Sequence, residues 1–161
     1  MDITQNWKAI RTHFNDSFKS NLHVSIASVN SNNLPTVTPV GTLFLNGDQT
    51  GFYFEKYISK LPENAKFNNN ICVLAVNSNK WFWIKSLYKL KFNNYPALKL
   101  YGKLGTKRKA SEIEISRLKK RMKSTNSLKG NKYLWGDMVH VREINFTNVE
   151  KINIGKMTAH F

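Results

Sequence analysis

The residues best suited to chemistry are Ser59 and Lys60, within the stretch 51–66, GFYFEKYISKLPENAK. Four strand-suited residues, Phe52, Tyr53, Phe54 and the less typical Glu55, lead through the turn Tyr57-Ile58-Ser59-Lys60 into a short helical segment. A strand that stops at a Ser-Lys pair before a helix presents a hydroxyl, an ammonium and unpaired backbone N–H groups together. That is the local chemistry of a phosphate site. A Ser before a helix is more often a plain N-cap, and on the local sequence alone that reading leads; the order of the surrounding elements is what favours the phosphate site. No other catalytic arrangement competes. HExxH, GxGxxG, a Walker loop and a recognisably spaced Ser/His/Asp group are all absent. His13, His23, His140 and His160 lack metal-ligand spacing, so no metal is expected, and His23 and His140 read as structural residues in strands.

The elements that must position this pair can be read in chain order. Ile3, Trp7, Ile10, Phe14 and Phe18 recur every three or four residues, which predicts an amphipathic helix over 3–19. Leu22, Val24, Ile26 and Val29 predict a strand, and Asn30-Ser31-Asn32-Asn33 a turn. Residues 36–45 are β-branched and apolar, interrupted by Pro39 and Gly41, which mark an edge, a bulge or a close approach to the backbone. With the strand from 51, these make an expected three-stranded meander. A short helix near 62–68 precedes the apolar run 71–76, a central strand by composition. A second amphipathic helix is expected over 81–92, with Trp81, Ile84, Leu87, Tyr88 and Phe92 inward. Leu98, Leu100 and Leu104 alternate with Lys99, Tyr101 and Lys103 in a half-buried strand. A helix follows over 110–122 with Ile113, Leu118 and Met122 inward, then a loose polar stretch over 124–131. One or two strands over 139–154 close the chain, their apolar phase slipping between Val141 and Ile144. The pattern is α+β: an antiparallel split β-barrel of about six strands with flanking helices, in a single domain over 1–161.

Composition bounds the rest. The 161 residues are 41% hydrophobic and 12% aromatic, enough for one core without disulfides or metals. The single cysteine, Cys72, lies in the apolar run ICVLAV and reads as a core residue of a reducing compartment. With no apolar leader and no stretch approaching membrane-span length, a cytoplasmic protein is expected. The net charge of +15 is uneven: 80–132 holds sixteen Lys or Arg against Glu112 and Glu114, a net of +14. Twenty Lys and twenty Asn against five Arg fit a codon bias toward A and T, which accounts for the amount of lysine but not its concentration. A basic surface over 80–132 therefore supports an alternative function, a non-catalytic anion-binding module for nucleic acid or an acidic membrane surface. Trp81 and Trp83 read as core or dimer contacts rather than a base-stacking platform.

Strand, turn, a strand with TVTPVG, turn, strand, Y-I-S-K, short helix and apolar strand, together covering about 22–105, resemble the pyridoxamine 5′-phosphate oxidase-like family of FMN-binding split barrels. The later stretches WFWIKSLYKLKF, KLYGKLG and LWGDMVHVREI resemble a subgroup of flavin-nucleotide-binding homologues without an established reaction. The resemblance implies a homodimer with FMN in two interface clefts, and an oxidoreductase chemistry carried by the flavin itself; a deazaflavin or haem is the lesser expectation. It implies that Thr38, Val40, Gly41 and Thr42 run along the isoalloxazine edge, their amides bonding its polar rim. Phe54 and Glu55 would line the ribityl side, with the Tyr57 turn beside them. Ser59 and Lys60 would hold the 5′-phosphate, and Lys99 would lie near the site.

This chain departs from the family pattern at two usually basic positions, where Leu43 and Leu61 stand, which weakens the expected phosphate site. The C-terminal Arg and His that grip substrate in authentic pyridoxamine phosphate oxidases are also missing. The chain ends GKMTAHF, and no motif supports Arg142 or His160 as substitutes. A small-molecule substrate of unknown identity and no specific nucleic-acid site are expected.

Overall fold

The computed structural model describes residues 1–161. Its seven strands are β1 (Val24–Val29), β2 (Pro35–Val40), β3 (Leu43–Leu45), β4 (Thr50–Phe54), β5 (Asn70–Val76), β6 (Ala97–Lys109) and β7 (His140–Lys151). They form one antiparallel sheet in the order β2-β1-β5-β6-β7-β4-β3. Laid flat, its two edges would stand about 29 Å apart, six inter-strand steps of roughly 4.8 Å. Yet the edge strands β2 and β3 are joined only by Gly41-Thr42, which lets Val40 and Leu43 lie no more than about 11 Å apart. The sheet must curl until its edges meet. The result is a split barrel, as the sequence pattern implied.

The same junction corrects the expected meander. Residues 36–45 do not form one strand: β2 pairs with β1, β3 pairs with β4, and the chain crosses the split between them. Pro35 and Pro39 are tolerated because β2 is an edge. The strand count is therefore seven rather than about six.

Helix α1 (Ile3–Asn21) starts where the Asp2 carboxylate accepts the Gln5 N–H at 2.7 Å, and ends at Leu22 in the left-handed region. Leu22 is thus a helix cap, not the start of a strand. The helix fills the barrel with Trp7, Ile10, Phe14 and Phe18 against Ile26, Tyr53, Val73, Leu98, Leu100 and Ile144. Its His13 is buried and bonded to the Ala75 carbonyl at 3.0 Å. A second, smaller core lies outside β4: Phe44, Phe52, Phe54 and Val141 under Leu118 of α4 (Glu112–Arg121) and Met138. The phase slip at Val141 and Ile144 follows from this. The two residues face different cores, and the extra residue lies on the opposing strand, between Leu104 and Lys107 of β6. A second irregularity sits at Gly102, where a Cβ would come within 2.4 Å of the Asn145 carbonyl oxygen.

Three helical expectations change. Helix α3 (Lys80–Lys89) buries only Ser86, and Trp81, Ile84, Leu87 and Tyr88 point outward. Ile113 of α4 is exposed, because Leu118 with the partly buried Ile115 and Met122 forms its inner stripe. The stretch expected to be loose holds a 3₁₀ turn at Lys123–Thr125 and helix α5 (Lys129–Trp135). No helix is long and apolar enough to cross a membrane. Cys72 is half-buried on the outer face of β5 rather than in the core.

Candidate functional site

Ser59 and Lys60 open helix α2 (Lys60–Ala65). Ser59 occupies the N-cap position, but with φ −107° and ψ −41° its hydroxyl caps no N–H of the first turn. Lys60 is exposed and reaches Glu63 at 3.1 Å one turn on, a solvent-screened pair. The helix is fixed from beneath. Leu61 is fully buried in the main core. The Asn64 amide donates to the Ser28 hydroxyl at 2.8 Å and the Thr36 hydroxyl at 2.9 Å, and those two hydroxyls lie 3.0 Å apart. This largely buried polar triad ties α2 to β1 and β2, with Thr36 only half-buried, on the face of β2 that also carries Thr38.

The other expected positions fall into separate environments. Thr38 and Val40 lie on the edge strand β2, with Thr38 half-exposed and Val40 buried. Gly41 and Thr42 form the crossing. A Cβ on Gly41 would stand 3.2 Å from the Leu22 carbonyl oxygen, so its small size serves α1 packing at least as directly as any ligand. The Thr42 hydroxyl donates to the Phe54 carbonyl at 3.3 Å. The Phe54 ring is buried edge-on against Phe44 and Phe52. Tyr57 is exposed, its hydroxyl donating to the Tyr133 carbonyl of α5 at 3.2 Å. Beside it, Lys56 pairs with Asp137. Lys99 projects from the opposite face of the sheet to the core residues Leu98 and Leu100 and pairs with Glu150 at 3.0 Å, where Tyr101 also donates at 2.7 Å. The structure ties the helix that Ser59 and Lys60 open to β2, the strand of Thr38, through Asn64, and leaves Lys99 on the other face of the sheet.

Glu55 is the strongest electrostatic feature. Its buried carboxylate receives the Arg142 guanidinium at 2.5 and 3.2 Å and the Tyr53 hydroxyl at 3.1 Å, with the Lys107 ammonium at 3.4 Å. Burial pushes the Glu55 carboxyl up, but Arg142, Tyr53 and Lys107 together outweigh it and hold the group below its usual range. The same burial, with the Glu55 charge alongside, raises the Tyr53 hydroxyl far above its ordinary value. Glu55 is therefore saturated by its own chain.

Arg142 and Lys107 were not foreseen as its partners. An acid in an apolar strand signals the need for a cation, but not which distant strand supplies it. Arg117 and Arg121, four residues apart on α4, were also missed as structural groups. Arg117 donates to the Leu45 carbonyl and the Asn46 side chain, both at 2.8 Å. Arg121 donates to the carbonyls of Leu43 at 2.6 Å and Gly41 at 3.3 Å. Together they cap the free carbonyls of the edge strand β3. Arg108 forks onto Glu114 at 2.8 and 2.9 Å and reaches Glu143 at 2.5 Å. Five of the sixteen cations in 80–132 (Lys99, Lys107, Arg108, Arg117 and Arg121) thus have internal partners. No cluster of His, Cys, Asp and Glu suited to a metal ion is present.

No protein-family model and no curated protein sequence matches the chain. Solved structures do. HupZ of Group A Streptococcus superposes with a TM-score of 0.59 at 15% identity, over 92% of this chain and 94% of that one. An FMN-binding protein from Syntrophomonas wolfei gives 0.58 at 13% identity, over 96% and 97%. A candidate pyridoxamine 5′-phosphate oxidase from Listeria innocua gives 0.53 at 14%, over 89% and 98%. The same fold also occurs in an F420 reductase and in HutZ, the heme storage protein of Vibrio cholerae, at 11% and 13% identity. At these identities the likeness defines the fold, the split barrel of pyridoxamine 5′-phosphate oxidase-like proteins. The proteins that share it are named for FMN, F420 and heme.

Proposed function

We propose that this chain is an FMN-binding flavoprotein, a cytoplasmic oxidoreductase built as a homodimer of single split-barrel domains. The observation that carries the reading is the Ser59 hydroxyl, free of any capping bond, beside Lys60 at the start of a helix that Asn64 holds to β1 and β2. A hydroxyl, an ammonium and unpaired first-turn N–H groups fit a phosphate monoester. The residues fit that end of FMN with one cation rather than two, because Leu61 and Leu43 are both fully buried in the core. The free edge of β2 offers the outward backbone N–H and carbonyl of Val37 and the Pro39 carbonyl to the polar rim of a ring, while the backbone groups of Thr38 and Val40 face β1. Glu55 and the Phe54 ring act differently: they stiffen the wall of the site through Arg142 and the second core, without offering free groups to a ligand.

FMN supplies hydride or electron transfer when bound, so the protein's tasks are to hold, orient and shield it. A second copy supports this by closing the site. The outer face of β1, β5 and β6 carries the half-buried Ala27, Cys72 and Leu74 next to the Lys99–Glu150 pair, a surface suited to a partner. The decisive experiment is reconstitution with FMN, followed by absorption spectroscopy and light scattering. Flavin bands that stay with a dimeric protein through gel filtration are expected. A colourless protein that also fails to quench FMN fluorescence overturns the proposal.

A further inference from the structure

Helix α3 is anchored on one side only. Asn79 caps it by accepting the Phe82 N–H at 3.0 Å, and the Trp83 indole donates to the Asn77 carbonyl at 2.6 Å. Phe82 and Trp83 pack on the buried Phe92, with ring centroids 5.5 and 5.2 Å away. These contacts fix the rotation of the helix and turn its other side to solvent. There Trp81 is 79% exposed and Tyr88 89%, with Ile84 and Leu87 more than half exposed between them. Residues 81, 84 and 88 follow one another along a single ridge at helical spacing, and Leu87 lies beside it. Leu90, at the C-cap, extends the apolar surface.

The charge around this ridge has one sign. Lys80, Lys85, Lys89 and Lys91 flank it, and none of them is in an ion pair. The sequence has no Asp or Glu between Glu63 and Glu112. Two copies of α3 face to face would bring eight such lysines together with no acid from either side. The face is therefore not self-complementary, and its occupant must be anionic. The apolar part is a convex ridge, which a deformable surface accepts more readily than a preformed protein pocket. A Trp and a Tyr at the level of flanking lysines form the composition of a helix lying in a lipid headgroup region.

We propose that α3 docks this protein on an anionic lipid bilayer, with Trp81, Ile84, Leu87 and Tyr88 entering the interface and the four lysines meeting acidic headgroups. Neither the flavin nor the residues of the phosphate site take part, so this inference stands or falls separately from the proposed function.

The test is co-sedimentation of the full-length protein with vesicles of phosphatidylglycerol and phosphatidylcholine, against vesicles of phosphatidylcholine alone. Binding to the anionic vesicles only, weakening as salt rises beyond about 0.1 M, is expected. Trp81→Ser with Tyr88→Ser should lower the partition coefficient by about tenfold or more. Lys85→Gln with Lys89→Gln should lower it and flatten the salt dependence. Both pairs are exposed, so urea midpoints should match the parent, and either pair suffices if the other fails to fold. Three results overturn the proposal. The first is no sedimentation with anionic vesicles, whether or not the protein binds poly-glutamate, which would indicate an acidic protein partner. The second is vesicle binding unchanged in the Trp81/Tyr88 variant, which would indicate diffuse charge. The third is a smaller oligomer for that variant in light scattering, which would make the face an interface between copies.

Discussion

The guanidinium of Arg121 donates to the Leu43 main-chain carbonyl at 2.6 Å while lying 3.5 Å from the centroid of the Phe44 ring. Leu43 belongs to β3, an edge strand with one row of unpaired carbonyls. Arg121 closes part of that row and Arg117 closes more of it at Leu45. Burial, reinforced by the neighbouring Arg117 charge, brings the Arg121 pKa down to about 10, so it remains a cation at neutral pH. With no carboxylate beside it, its charge is held by carbonyl dipoles and by the faces of Phe44 and Phe18.

Replacing Arg121 with Gln should therefore destabilise the fold by about 2–4 kcal/mol, the sum of charged hydrogen bonds and a desolvated cation–π contact. Lys at this position should recover little, because an ammonium cannot lie flat on Phe44 while bridging two carbonyls. Urea midpoints of the two variants check this. A midpoint within experimental error of the parent would reduce Arg121 to a surface charge. By contrast, Lys119 and Lys120 make no internal bonds, and their Gln variants should leave the midpoint unchanged.

Glu55 makes acid stability the second test. Its folded carboxyl titrates below its unfolded value, so the unfolded chain takes up the proton first as pH falls. The stabilisation is complete above the ordinary carboxylate range, near about 4.3, and drains away as pH drops through it toward the folded value. Glu114, held low by the forked Arg108 guanidinium, adds to the same acid limb. Glu55→Gln should cost about 3–5 kcal/mol at pH 7, because it leaves the Arg142 charge largely buried without its partner. It should also flatten the stability curve below about pH 5. Urea unfolding from pH 7 to pH 3 tests both parts, and an equally steep acid limb in the variant would move the titration to another group.

How much of this was legible in the sequence differs by element. The barrel-filling face of α1 and the alternation in β6 were readable because each meets a single core at one period. Residues 36–45 were not, since nothing in an apolar run says that its two halves pair with opposite ends of a sheet. The α3 face was inverted for a related reason. Aromatics at helical spacing mark a stripe, but burial depends on what packs there, and the inner side took buried Ser86 with the half-buried Phe82 and Trp83 against Phe92 instead. At the candidate site Ser59 and Lys60 were visible as a local pair. The Glu55–Arg142–Lys107 network was not, because its members lie just past the end of β4, on β7 and on β6, brought together only by β4–β7 and β6–β7 pairing.

The phosphate reading makes a direct prediction for Lys60. Its side chain is exposed and its pair with Glu63 is weak, so Lys60→Ala should leave the unfolding free energy from urea titration within about 0.5 kcal/mol of the parent. FMN affinity should fall by about 1.5 kcal/mol, the lower end for a charged hydrogen bond, since solvent competes at an exposed site. Titration of FMN fluorescence measures the loss. Equal affinity in the variant would put the anchor elsewhere.

Asn64 separates position from contact. It lies beneath α2, bonds the Ser28 and Thr36 hydroxyls, and offers nothing to a ligand. Asn64→Ala removes the donor that joins α2 to β1 and β2 and leaves the buried Ser28 and half-buried Thr36 hydroxyls with only each other as side-chain partners, at a cost of about 1–3 kcal/mol. Leu61 stays in the core, so the helix should remain while its seat on β1 and β2 loosens. FMN affinity should then fall although no contacting residue has changed. Combined with Lys60→Ala, the loss should be less than the sum of the two, because a displaced Lys60 has less to give up. A double-mutant cycle on FMN binding, with urea unfolding run in parallel, reads both quantities. Strict additivity, with Asn64→Ala altering stability alone, would detach the triad from the site and leave it a packing device.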